Sequence, residues 1–178
     1  MLRLLLVGFG VLALSACQVG FNSRASGPFF FEQVHVGGKV VLHQPLTIPS
    51  QQVRAFVQGG QPVSIQQVYK QEANCQFETR QLAQGVMEIK PDEFMITKVV
   101  RTEELFSSLQ RPLLVASMGG DGAADLFEFK TRLSVTSKKN PDVRYFTCSH
   151  MEHLSTGGDH LRYQQFLQAV GNIVTLAN

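Results

Sequence analysis

The sequence predicts a mainly β domain, an antiparallel sandwich or small open barrel with one C-terminal α-helix. Three observations predict it. Phe127, Phe129, Thr131, Leu133 and Val135 alternate with Glu128, Lys130, Arg132, Ser134 and Thr136, the period-two pattern of a strand with one buried and one wet face. Val143 to Cys148 continues this pattern beyond Lys138-Lys139-Asn140-Pro141-Asp142, a turn-forming run, so it reads as the antiparallel partner. Tyr163, Phe166, Leu167 and Val170 recur at i, i+3, i+4 and i+7, the stripe of an amphipathic helix.

The other elements are read in chain order. Phe29-Phe30-Phe31 opens the ordered part and reads as a buried first strand. Val40 and Leu42 alternate with Lys39, Val41 and His43, and Pro45 and Pro49 punctuate the run. Val53, Ala55 and Val57 alternate with Arg54, Phe56 and Gln58 up to a turn at Gly59-Gly60. Val63, Ile65 and Val68 have polar neighbours. Cys75, Phe77 and Thr79 share one face against Gln76, Glu78 and Arg80, and Phe94 to Val100 is a further strand candidate. Thr102 before Glu103, Glu104 and Leu105 suggests a short helix over residues 101–112, with the two glutamates on its surface. After Thr156-Gly157-Gly158, Asp159 is the expected cap of the C-terminal helix, Gly171 its C′ residue, and Ile173 to Leu176 a last strand. No repeat and no second domain is visible, so residues 28–178 read as one β-rich domain.

Charge narrows the partners. The chain carries 16 Lys plus Arg against 14 Asp plus Glu, with no basic block or arginine stripe. Nucleic acid is therefore not an expected partner. With 13 Phe and no Trp, the core is expected to rest on Phe and β-branched residues.

The N-terminus has its own logic. Arg3 is the only charge before residue 24, and Leu4 to Leu14 is apolar apart from two glycines. That run matches the core of a signal peptide and is shorter than the roughly 20 residues of a spanning helix. It ends Leu14-Ser15-Ala16-Cys17, which resembles the lipobox of bacterial lipoproteins. The resemblance implies removal of residues 1–16, diacylglycerol on the Cys17 thiol, palmitate-type acylation and a 162-residue mature chain. Each buried methylene then contributes roughly 0.8 kcal/mol to membrane anchorage. Gln18 stands where inner-membrane lipoproteins of this kind carry Asp, which implies the outer membrane, on its periplasmic side. Gln18 to Gly27 reads as a flexible tether with a reach of about 17 Å. Beyond this motif, Leu46-Thr47-Ile48-Pro49, Val53 to Gly60, Asn74-Cys75 and Ala169-Val170-Gly171 resemble small envelope lipoproteins of Proteobacteria, a likeness that implies no activity.

With Cys17 lipidated, Cys75 and Cys148 remain, and in an oxidising compartment they are expected to form one disulfide. A reactive or metal-binding thiol is the competing reading. Cys148, His150 and His153 lie within six residues and are soft-ligand types for zinc or copper. A disulfide would remove Cys148 from that set, and His43 or His160 would have to complete it. The expectation is therefore no metal and no cofactor, with His150 and His153 as solvated loop residues. Met118 to Asp125 has two carboxylates and glycines but not the spacing of a calcium loop, and no Lys-Ser or Lys-Thr makes it a phosphate cradle. Ser107, Ser108, Ser117 and Ser149 stand in no nucleophile elbow. The functional expectation is a non-enzymatic envelope lipoprotein, a structural or binding module serving as accessory subunit of an envelope assembly. Its partner is expected to be a protein met at strand edges or at the Glu128, Lys130, Arg132 face. The alternative is a periplasmic metal- or small-ligand-binding lipoprotein using His150 and His153.

Overall fold

In the computed structural model, which describes residues 27–106, 126–153 and 157–177, the alternating segments become strands. They are β1 (Lys39–Leu42), β2 (Leu46–Ile48), β3 (Arg54–Gln58), β4 (Gln61–Val63), β5 (Asn74–Thr79), β6 (Met87–Ile89), β7 (Asp92–Phe106), β8 (Leu126–Thr136), β9 (Val143–His153) and β10 (Val174–Ala177). One helix, α1 (Tyr163–Val170), precedes β10. Eight strands form an antiparallel sheet in the order β10-β1-β7-β8-β9-β5-β3-β4, curled into a half-barrel, and β2 pairs with β6 in a small second sheet. The fold is thus mainly β and open, with the expected C-terminal helix.

The inner face of the half-barrel is the core. Phe77, on β5, meets Phe94 of β7 at 5.2 Å and Phe146 of β9 at 4.7 Å between ring centroids. Leu46, Ile48 and Ile89 bring the small sheet into the same cluster. Helix α1 lays Phe166 against it, stacked on Phe30 at 4.5 Å and edge-on to Phe146 at 6.5 Å. Cys75 and Cys148 are direct register partners of β5 and β9, and their sulfurs lie at disulfide distance, 2.09 Å.

Glycine is needed where the helix end meets the β3–β4 turn. Gly171 has φ +53° and donates its N–H to Leu167, while Gly60 donates to Ala169. A Cβ on Gly171 would come within 2.8 Å of the Gly60 Cα, so a side chain there meets backbone.

Four expectations are corrected. Phe29-Phe30-Phe31 is no strand: Phe30–Gln33 forms a 3₁₀ turn, held by the Glu32 carboxylate accepting from the Phe29 N–H, with only Phe30 fully buried. Residues 101–106 continue β7 rather than starting a helix, because beyond a register shift at Ile96/Lys98 β8 offers an unbroken ladder from Lys98↔Ser134 to Phe106↔Leu126; residues 107–112 lie outside the described residues. Helix α1 begins later than Asp159 would start it. Asp159 accepts from the His160 N–H, and the Gln165 side chain satisfies the Arg162 N–H at the true helix start. Ile65–Gln67 is a 3₁₀ turn, so the alternation after Gly60 ends at Val63.

Candidate functional site

Strand register assembles the outer, wet face of the sheet from residues far apart in sequence. One rung across it reads Phe56, Gln76, Thr147, Arg132, Val100, and the next reads Asn74, Ser149, Lys130, Thr102. Directly opposed side chains on antiparallel strands have Cβ atoms about 4.5–5.5 Å apart, so these groups are neighbours. The expected Glu128, Lys130 and Arg132 face is therefore the middle of a broader polar surface. Between β4 and β5 the chain folds over it as a wall. Gln58 bonds the backbone of Tyr69 through both its amide atoms, and the Met151 N–H donates to the Lys70 carbonyl. The groove beneath that wall has a volume of about 200 Å³.

The charges in the groove are unequally satisfied. Lys130 is bracketed by Glu104 at 2.8 Å and Glu128 at 3.0 Å. Its burial disfavours the ammonium, but the hydrogen bonds to those two carboxylates outweigh this and hold its pKa above the ordinary lysine value. Glu104 is correspondingly held below the usual carboxylate range by the Lys130 hydrogen bond and charge. Arg54 is paired with Glu78 at 2.7 Å. Arg132 is in no ion pair among the described residues and lies 5.0 Å from the Tyr145 ring centroid. Thr147, 3 % exposed, has a buried hydroxyl with no hydrogen-bond partner.

A second feature is an edge. β1 pairs with β7 only from Asp92 to Met95, so the same side of Lys98–Phe106 carries no strand among the described residues. A trough of about 840 Å³ runs along this edge, bounded by Phe31, Lys98 to Glu103, Asp159 and His160. Arg101 sits 4.3 Å from the Phe31 ring centroid, both residues lining the trough.

The histidines depart from expectation. His150 is on β9, not in a loop, and is buried at 5 % exposure. Strand alternation aims it inward with Phe146 and Cys148 while His153, three residues on, is aimed to the outer face and is exposed. Those two therefore do not converge on one ion. The structure instead brings His150 near His160, each 5.7 Å from the Phe129 ring; His43 is elsewhere, bonded to Thr175 of β10. Among the described residues no three His, Cys, Asp or Glu side chains are arranged to hold a metal ion. The Glu103 and Glu104 expected on a helix surface are strand residues, Glu103 reaching His160 at 3.4 Å. Cys17, Met118 to Asp125, Ser107, Ser108 and Ser117 lie outside the described residues, and Ser149 lines the groove.

Burial drives both histidine pKa values below the ordinary 6.5, against the opposing pull of Glu152 on His150 and of Glu103 on His160. Asp159 also favours the charged forms, whereas Arg101 opposes charge on His160 and His160 opposes it on His150. A base whose folded pKa is depressed contributes full stability above its unfolded pKa of about 6.5 and loses it as pH falls toward the folded value. The melting temperature should therefore drop as pH is lowered from 7 to 5. His150→Gln with His160→Gln should flatten that slope in thermal melts; an unchanged slope would show that other groups set it.

No protein-family model, curated protein or solved structure matches this chain.

Proposed function

We propose that this chain is a lipid-anchored protein of the bacterial envelope, held through Cys17 at the outer membrane. Its β domain is a non-enzymatic binding module, an accessory subunit that captures an extended segment of a protein partner along the edge of β7. The observation that carries the reading is the trough beside Lys98–Glu103, on a side of β7 that β1 leaves unpaired and that carries no strand among the described residues. Adding a strand to such an edge supplies main-chain hydrogen bonds, and alternate side chains of the incoming segment would meet Phe31, His160 and the mixed charges of Lys98, Arg101 and Glu103. Exposed edges of this length invite uncontrolled pairing unless charged or occupied, and here charges are placed along it. The tether from Cys17 would keep the start of the domain about 17 Å from the bilayer surface.

The test has two arms in cells. Cys17→Ser should abolish palmitate incorporation and release the chain from membranes; persistent labelling removes the anchor. A photo-crosslinking residue in place of Lys98 or Thr102 should trap one protein, while the same residue in place of Glu88 on the small sheet should not. Equal trapping at all three positions, or none, removes the docking edge.

A further inference from the structure

We infer that the groove on the outer face is a binding site for a small oxyanion, a carboxylate or phosphate group, held by Arg132 beside the Thr147 hydroxyl and the Gln76 amide. This site lies on strands β5, β9 and β8 and is independent of the β7 edge. Three observations carry it. The first is the orphaned Thr147 hydroxyl: it is buried and makes no hydrogen bond, although buried polar groups are ordinarily paired because leaving one unmade costs about 1–3 kcal/mol. Thr147 lines the groove together with Arg132 and Gln76.

The second is the charge arrangement. Arg132 is the direct neighbour of Thr147 in the ladder and is in no ion pair among the described residues, whereas Arg54 and Lys130 in the same groove are already held by carboxylates. Lys70, on the wall, is likewise in no ion pair among the described residues and lies 5.3 Å from the Phe106 ring centroid. The Lys70 ammonium is thus at the Phe106 end of the groove, three rungs from Thr147, and Arg132 is the cation beside the orphaned hydroxyl. Among the described residues Glu128 is the one carboxylate lining the groove, and it is bonded to Lys130, as is Glu104, whose charge also feels Arg132; neither carboxylate forms an ion pair with Arg132.

The third is donor geometry. Gln76 stands on the other side of Thr147, directly opposite it, so Arg132, Thr147 and Gln76 occupy one row across three strands, with the guanidinium 5.0 Å from the Tyr145 ring of the next rung. A planar guanidinium presents paired N–H donors that match carboxylate and phosphate oxygens. A volume of about 200 Å³ admits one such group with a small polar body, and no more.

The site is tested on the full-length lipidated protein in detergent micelles, by calorimetric titration at pH 7.5 with sodium phosphate and, separately, sodium succinate, at fixed ionic strength. One saturable site per chain is expected for at least one of them; saturation by succinate alone assigns a carboxylate ligand, and saturation by phosphate alone a phosphate. Arg132→Gln should weaken binding about 10-fold or more, the ratio a charge-assisted hydrogen bond supplies. Thr147→Val, which keeps the side-chain volume, should weaken it about 5-fold, and Thr147→Ser should restore it. Arg144→Gln, an exposed arginine stacked on Tyr145, should leave it unchanged. Absence of saturable heat with both anions, or equal effects of Arg132→Gln and Arg144→Gln, overturns the proposal. Thr147→Val binding as tightly as Thr147→Ser removes the hydroxyl from the site.

Discussion

Replacing Phe77 by alanine should lower the unfolding free energy by about 3–5 kcal/mol, the largest loss expected from a single change in this domain. Phe77 is fully buried and lies between Phe94 and Phe146, so its ring joins β5 to β7 and β9 across the half-barrel. Truncation removes the transfer free energy of the ring and leaves a cavity bounded by two other rings. Those rings are set by their own strands and cannot follow inward without breaking the ladder. In a domain of this size such a loss corresponds to a melting point lower by roughly 10 °C. Chemical denaturation with an unchanged m-value would show that the folded state itself was weakened rather than the unfolded one altered. Phe77→Leu should cost distinctly less, since most of the buried carbon remains. A loss below about 1 kcal/mol for Phe77→Ala would mean that this cluster is not the packed centre of the domain.

Removing the disulfide expected between β5 and β9 should be comparably severe. Cys75 and Cys148 are 73 residues apart, and closing a loop of that length restricts the unfolded chain by about 4 kcal/mol in the chain-entropy account. Both sulfurs are buried in the core, so the folded protein should show no alkylatable thiol without reductant. The paired variant Cys75→Ala with Cys148→Ala should melt roughly 10 °C lower, with the sheet itself preserved because the surrounding ladder from Asn74↔Ser149 to Glu78↔Tyr145 does not depend on the sulfurs. Two reactive thiols in the native protein would instead return Cys148 to the pool of possible metal ligands.

The expected disulfide partners are the two cysteines that register sets face to face, and the strand centred on Leu133 has the inward and outward faces that its alternation predicts. The helical stripe at Tyr163, Phe166, Leu167 and Val170 also packs as its period requires, with Phe166 and Val170 buried. These patterns were legible because each arises within one short segment, where alternation alone decides which side chain is wet. The short helix expected from Thr102 onward failed for the same reason. Its signals were local capping signals, and they were overridden by the ladder that β8 presents to residues 101–106. His150 was misplaced because the same alternation that buries Phe146 and Cys148 continues past the point where the sequence turns polar.

By itself, then, the sequence determined the element types along most of the chain, the inward face of the best-defined strand, and the signal-peptide-like opening that ends at Cys17. Only the tertiary structure decided that Arg132, Thr147 and Gln76 stand in one row, that β7 outruns β1 and leaves an edge with no strand partner among the described residues, and that Gly60 and Gly171 meet. The physical reason is range. Period and caps depend on neighbours a few residues away, whereas strand order and register are chosen by the joint burial of Phe77, Phe94, Phe146 and Phe166, which come from four separate elements. No residue in the Arg132 row carries a local mark of its partners; their adjacency is a consequence of how the inner face packs.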